Sequence, residues 1–287
     1  MSTSALPALS PKPTPPSAVN APIALLVPGF LTQTHTLLPN DLDPTRALDA
    51  RAWVLEATKA IPEGVSARVE CFEWGSKKLM EVLKDMLLPL LKSVDFRPER
   101  LLKSALNLKN AWHSAEEEAD KSAPRLLAHL RALRAAHPSA PIYVIAHSLG
   151  GRMAIRACEQ MAREGEPISD LYVSTLAAAI DKRAVDWARL AALPSPPEVV
   201  FSAHDQVLKS LFKLATATIT GIPFIDLPVI TVAYLKGPDA AGLVGPGDDY
   251  PKGLALDVSD SHIGHLAYLS ELRAIFAKSR YLKALLG

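Results

Sequence analysis

The chain has 287 residues, of which 49% are hydrophobic and 21% charged, and its formal net charge is +1. This length is enough for one large domain with a sizeable core. A net charge so close to zero argues against a nucleic-acid-binding protein, because there is no excess of basic residues to neutralise phosphates. No uninterrupted apolar run reaches the length of about eighteen residues that a membrane-spanning helix needs, so no transmembrane span is predicted.

The first twenty residues contain five prolines and no continuous apolar run. This composition predicts a disordered or extended leader over residues 1–20, followed by one domain over residues 21–287. A secretory signal peptide would need a basic start and an apolar run of about seven residues or more. Since no such signal is recognised, the expected location is cytoplasmic.

Short apolar runs alternate with helical patterns through the rest of the chain. The predicted strands are residues 23–27, 67–74, 142–145, 171–176, 198–202 and 254–258. The predicted helices are residues 53–61 and 77–92, helix-rich sequence over 97–136, a helix after Ser148 that ends near Gly165, and residues 186–193 and 263–285. Strands that alternate with helices predict an α/β protein with a mostly parallel central sheet and helices on both faces.

Two stretches are longer than a simple connection requires, residues 77–113 and 207–235. Residues 77–113 are a candidate cap or lid, although extra helices packed on the sheet would explain them equally well. Residues 207–235 are strongly apolar and could line an acyl pocket or contact a membrane surface. A buried pair of helices is the simpler alternative for that second stretch.

The sequence Ala-His-Ser-Leu-Gly-Gly at residues 146–151 follows a predicted strand and precedes a predicted helix. A strand, a sharp turn with serine at its apex and a helix together predict a nucleophile elbow. Such a turn crowds the backbone, so that only small side chains fit two residues before and after Ser148; here these residues are Ala146 and Gly150. The alternative is that Ser148 only caps the helix.

A nucleophilic serine needs a histidine to take its proton and a carboxylate to orient that histidine. In a parallel sheet these groups lie beyond the carboxyl ends of strands. Asp205 follows the predicted strand 198–202 directly, so it is the predicted acid, with a helix N-cap as its alternative role. Asp181, after the strand 171–176, is the alternative acid.

His265 and His262 both follow the last predicted strand, and His265 is the favoured base. Gly264 before it would let the backbone approach closely, and the predicted helix 263–285 would begin there. A metal site built from His262 and His265 is disfavoured, because it would leave Ser148 and Asp205 without a role. No metal and no cofactor are therefore predicted.

The oxyanion of a tetrahedral intermediate needs two N–H donors. The N–H of Leu149, immediately after the nucleophile, is the first predicted donor. The second is the N–H of Phe30, after the Pro28–Gly29 turn that ends the first strand. Both assignments rest on position in the chain.

With its elbow at residues 146–151 and the order Ser148, Asp205, His265, the chain resembles the α/β-hydrolase superfamily from Ile23 to its C-terminus. It departs from the G-x-S-x-G pattern only at Ala146. More narrowly, it looks like the lipase-like family of transmembrane and coiled-coil domain-containing proteins. The matching pieces are Gly-Phe-Leu-Thr at 29–32, Phe-Glu-Trp-Gly-Ser-Lys-Lys-Leu at 72–79, Asp-Gln-Val-Leu at 205–208, Asp-Val-Ser-Asp at 257–260 and Gly-His-Leu-Ala-Tyr at 264–268.

The resemblance implies an α/β-hydrolase fold and a serine hydrolase that cleaves a carboxylic ester, with a small-molecule or lipid ester as substrate. An acyltransferase or thioesterase would use the same three residues. A hydrolase-fold module without catalysis, which binds a partner or a membrane surface, is the alternative from another class. The sequence makes no prediction of oligomeric state.

Overall fold

The computed structural model describes residues 20–29, 50–74, 98–216 and 239–287. Its centre is a six-stranded sheet in the order β2-β1-β3-β4-β5-β6, in which every neighbouring pair is parallel. The strands are β1 Ile23–Val27, β2 Arg68–Cys71, β3 Ile142–His147, β4 Leu171–Leu176, β5 Glu198–Phe201 and β6 Ala255–Asp257. The prediction of an α/β protein with a parallel sheet is confirmed.

The inner strands are rich in apolar residues because helices cover the sheet, and β1 is apolar throughout. All residues of β1 and of β3 are buried, whereas the residues of the edge strand β2 are partly or fully exposed. The apolar residues of these inner strands form the centre of the hydrophobic core.

Helices surround the sheet in two groups. The α-helices are α1 Ala50–Ala60, α2 Pro98–Ala136, α3 Leu149–Glu164, α4 Trp187–Ala191, α5 Lys213–Thr216, α6 Ala241–Val244 and α7 Leu272–Lys278. A π-helix covers Val207–Phe212, and 3₁₀ turns cover Lys182–Ala184, Lys252–Leu254, Ser259–Ser261 and Leu282–Leu286. Helix α1 packs with α7, and α2 packs with α3.

The strand order contains one change of direction that positions the site. The chain steps from β1 to β2 in one direction and then crosses to β3, β4, β5 and β6 in the other. Because crossovers between parallel strands are right-handed, the two directions place their helices on opposite faces of the sheet. Ligand sites of open α/β sheets lie beyond the carboxyl ends of the neighbouring strands at such a reversal, here β1 and β3.

The predicted leader and the two predicted insertions lie largely outside the described residues. Within residues 77–113, the described part from 98 onward belongs to the long helix α2, whose Trp112 is buried. Within residues 207–235, the described part is the π-helix and α5. Across the residues that the structure describes, none of the helices combines the length and apolar character needed to cross a membrane.

The prediction of one closing helix over residues 263–285 is wrong. The segment holds turns around residues 264–271, helix α7 and a final 3₁₀ turn. Between these two helices, the Ser279 hydroxyl and the Arg280 N–H both donate to the buried carboxylate of Glu198 on β5. Ser279 is extended at this point, so hydrogen bonds from a distant strand override the helical periodicity of the sequence.

Candidate active site

Ser148 lies between β3 and α3 in a strained backbone conformation, with φ 56° and ψ −120°. A non-glycine residue rarely adopts positive φ, and such strain is concentrated at functional turns. Within the described part of the chain, the Ser148 side chain makes no capping hydrogen bond to the helix. The Ser148 hydroxyl therefore does not cap helix α3, which was the alternative role considered from the sequence.

The turn around Ser148 is crowded, as the small neighbours predicted. A Cβ added to Gly150 would lie 1.9 Å from the carbonyl oxygen of Val27, and one added to Gly29 would lie 2.6 Å from the Ser148 Cβ. The end of β1 and the turn after it thus contact the Ser148 elbow and the first turn of α3 through glycines. No side chain fits at either glycine, so the turn after β1 lies directly against Ser148.

Three of the predicted site residues form one hydrogen-bonded chain. The Ser148 Oγ lies 2.9 Å from the His265 Nε2, and the His265 Nδ1 lies 2.7 Å from the Asp205 Oδ2. All three side chains are buried. Because a carboxylate only accepts, His265 donates from Nδ1, which leaves Nε2 free to accept the Ser148 hydroxyl proton.

Asp205 has a second contact that sets its orientation. Its Oδ1 accepts a hydrogen bond from the Leu208 N–H at 2.9 Å, at the start of the π-helix Val207–Phe212. The capping role and the role as partner of His265 are therefore combined in one carboxylate, one oxygen serving each. This arrangement keeps Oδ2 pointing at the imidazole.

The loops that carry the acid and the histidine are joined by side-chain hydrogen bonds. Ser259 donates from Oγ to the carboxylate of Asp257 at the end of β6. The same Oγ accepts the Ala203 N–H at 2.9 Å, on the loop after β5. Ser259 therefore links the loop of Asp205 to the segment of His265.

The alternative acid and the alternative base lie elsewhere. Asp181 begins a 3₁₀ turn, and its carboxylate accepts the Arg183 N–H at 2.9 Å and pairs with the Arg183 guanidinium. The His262 ring packs on the His204 ring, with 4.5 Å between centroids. The structure brings together Ser148, His265 and Asp205, and it gives Asp181 and His262 other partners.

The close backbone approach expected at Gly264 is not found among the described residues, although the next residue, His265, does contact Ser148. A Cβ added to Gly264 would have no described atom within 4 Å. His265 also precedes α7 by several residues and lies in a turn, not at a helix start.

The described residues hold no group of three His, Cys, Asp or Glu side chains arranged for a metal ion.

Of the two predicted oxyanion donors, one lies within the described chain. Leu149 is the first residue of α3, where N–H groups have no partner within the helix. Its nitrogen lies beside the turn after β1, 3.1 Å from the position of a Cβ added to Gly29. Phe30 lies outside the described residues, as do residues 31–49.

Two tryptophans that the sequence did not assign to the site support this region. The Trp74 Nε1 donates to the Pro28 carbonyl oxygen at 2.8 Å, which anchors the turn after β1. The Trp53 ring packs on His147, the residue before Ser148, with 5.0 Å between centroids. Trp74 belongs to the Phe-Glu-Trp-Gly-Ser piece of the resemblance, which was the only sequence signal for it.

His147 is the remaining residue of the elbow whose role the sequence missed. Its Nε2 lies 3.0 Å from the carbonyl oxygen of His265, and its ring is buried. Burial lowers the pKa of the His147 imidazole well below its ordinary value of 6.5, and His265 beside it lowers that pKa further. His147 is therefore neutral at physiological pH.

A family model described as a protein of unknown function, DUF726, matches residues 41–252. The matched range includes Ser148 and Asp205 and ends before His265. No curated protein and no solved structure matches the chain.

Proposed function

The chain belongs to the DUF726 family, and we propose that it is a serine hydrolase that cleaves a carboxylic ester. The observation that carries this proposal is the buried hydrogen-bonded chain from Asp205 through His265 to Ser148. Its order along the sequence is serine, acid, histidine, which is the order found in α/β-hydrolases. The parallel sheet, the strained serine between a strand and a helix, and the acid after β5 support the finer assignment of an α/β-hydrolase fold.

The proposed reaction proceeds through an acyl-enzyme. The Ser148 Oγ attacks the carbonyl carbon of the ester while its proton passes to the His265 Nε2, and the resulting imidazolium is stabilised by Asp205. Collapse of the tetrahedral intermediate breaks the bond to the alkoxy oxygen, which takes that proton and leaves as the alcohol. Water then attacks the acyl-enzyme, with His265 again taking a proton, and releases the carboxylic acid and Ser148.

Negative charge on the tetrahedral oxygen requires preorganised N–H donors. The N–H of Leu149 is the donor that the position of α3 supports. The N–H of Phe30 is the proposed second donor, because the turn before it lies against Ser148. Loss of one such donor typically costs roughly 3–4 kcal/mol of transition-state stabilisation.

A small fluorophosphonate probe tests the proposal, and a small probe is needed because Ser148 is buried. The wild-type protein is expected to be labelled, and Ser148→Ala is expected to lose labelling and the hydrolysis of short-chain esters. Ser270→Ala is a control, because Ser270 is exposed and its hydroxyl donates to a local carbonyl, that of Ala267. Persistent labelling of Ser148→Ala would show that another residue is the nucleophile.

A wild-type protein that takes no label and turns over no ester would instead favour the binding module without catalysis. Hydrogen bonding between all three residues argues against that alternative, because a module that only binds has no need of an ordered serine, histidine and carboxylate. Turnover of thioesters or transfer to an alcohol, measured beside ester hydrolysis, separates the thioesterase and acyltransferase alternatives.

A further inference from the structure

His147 contacts the proposed base from a position that the reaction itself does not use. It is the last residue of β3 and directly precedes Ser148. Its ring lies among three aromatic rings, with centroid distances of 5.0 Å to Trp53, 4.8 Å to His265 and 5.8 Å to Tyr268. The side chain is thus held rigidly on the sheet, next to the segment that carries His265.

The direction of its hydrogen bond follows from the chemistry of the two partners. A backbone carbonyl oxygen can only accept, so the His147 Nε2, 3.0 Å from the His265 carbonyl, must carry the proton. The neutral imidazole has one N–H, and here that N–H is on Nε2. A neutral ring at this place also avoids a second positive charge beside His265 when His265 takes the serine proton.

We infer that His147 is a positioning residue, which holds the backbone of His265 against the end of β3 so that its imidazole stays within reach of Ser148. This inference rests on the proposed function. His265 lies in a turn before α7, so no helix fixes its backbone. The Asp205 bond orients the ring, and the His147 bond fixes the main chain from which the ring projects.

The positioning bond matters most when the bond between serine and histidine is absent. Once Ser148 Oγ is bonded to the acyl carbon, its hydroxyl proton is gone and it no longer donates to His265. The base must then stay in place to activate water. The bond from His147 to the His265 carbonyl is unchanged through these steps, because neither atom takes part in proton transfer or bond breaking.

Two variants separate the hydrogen bond from the packing of the ring. His147→Phe keeps an aromatic ring against Trp53 and Tyr268 but removes the donor, whereas His147→Gln loses the ring and keeps an N–H₂ of comparable reach. We expect kcat for a short ester to fall by about 10- to 100-fold in the Phe variant, since small displacements of a catalytic group cost this much. The Gln variant is expected to recover to within about threefold of wild type, with KM nearly unchanged in both.

Each outcome has a defined meaning. If wild-type protein is inactive and unlabelled, the proposed function fails, whatever the variants do. If wild type is active and the Phe variant keeps its kcat, or if both variants lose activity equally at equal thermal stability, the positioning role is wrong. Nitrogen-15 NMR of the wild-type ring adds a test that no variant's folding can affect: a proton on Nδ1 instead of Nε2 of His147 would also overturn the inference.

Discussion

Gly150 and Val27 are in backbone contact: a Cβ on Gly150 would lie 1.9 Å from the Val27 carbonyl oxygen. This contact joins the helix after Ser148 to the end of the first strand. It explains why the elbow needs a residue without a side chain at this position, although glycine is a poor helix former.

Gly150→Ala is expected to unfold the elbow or displace it. Alanine is favoured over glycine by about 1 kcal/mol inside a helix, but the clash is with backbone that cannot rotate away. We expect a net loss on the order of 3 kcal/mol in the free energy of unfolding and loss of esterase activity. Urea denaturation and ester hydrolysis measure the two effects.

The matched control is Gly264→Ala, next to His265. A Cβ there meets no described atom within 4 Å, so stability and activity are expected to stay near wild type. Equal behaviour of the two alanine variants would contradict the assigned role of the contact between Gly150 and Val27.

Asp205→Asn is expected to lower kcat by a thousandfold or more, on the order seen for acids of this kind. Asparagine would keep the bond from the Leu208 N–H but present an amide N–H₂ to the His265 Nδ1. The imidazole would then carry its proton on Nε2 and could not accept the Ser148 proton. Asp181→Asn serves as the control, since Asp181 pairs with Arg183, and a large loss of kcat in that variant would reverse the assignment of the acid.

Ser259→Ala is expected to loosen the two loops that carry Asp205 and His265. It removes the acceptor of the Ala203 N–H, a bond worth about 1 kcal/mol, so kcat is expected to fall about fivefold. Ser261→Ala removes a hydroxyl from the same 3₁₀ turn, where it accepts a hydrogen bond from the exposed Lys278 side chain. Kinetic assays of both variants should show a loss for Ser259→Ala alone; an equal effect in both would argue against a bridging role.

Trp74→Phe is expected to cost about 1–3 kcal/mol of stability, because it leaves the buried Pro28 carbonyl without its donor. It should also lower kcat, since the turn that it anchors lies against Ser148. Trp187→Phe removes an equivalent bond, to the Lys182 carbonyl, at a remote turn. Calorimetry should detect destabilisation in both variants, whereas a fall in kcat should accompany only the first.

The buried His147 predicts a pH dependence of stability. Its pKa is lowered in the folded chain, so below pH 6.5 the unfolded chain takes up a proton at this residue that the native protein does not. Stability is therefore present above pH 6.5 and is lost as the pH falls toward the lowered pKa, by up to about 1.4 kcal/mol per pH unit.

His147→Gln has no such group, so from pH 8 to pH 5 the wild type should lose stability relative to this variant. Urea denaturation at intervals across this range measures the difference. Parallel stability curves for the two proteins would show that the pKa of His147 is not lowered in the native state.

Local sequence patterns predicted the strands of this protein, the turn at Ser148 and the positions of Asp205 and His265. Apolar runs predicted most of the six strands, because strands buried in a parallel sheet are rich in apolar side chains, and alternating polarity predicted the edge strand. Small residues around Ser148 predicted the elbow, because its backbone contacts leave no room for a Cβ. The same signals placed Asp205 and His265 after strands, where parallel topology brings side chains to one edge of the sheet.

Other features depend on residues that are far apart in the chain and were decided only by the tertiary structure. The C-terminal segment has helical periodicity, yet Glu198 draws Ser279 and Arg280 into hydrogen bonds that interrupt it. The sequence favoured Asp205 over Asp181 and His265 over His262, but only the folded structure shows that the favoured residues contact each other and Ser148. No spacing predicts the bond from His147 to the His265 carbonyl, because its partners are 118 residues apart and meet only when the sheet has assembled.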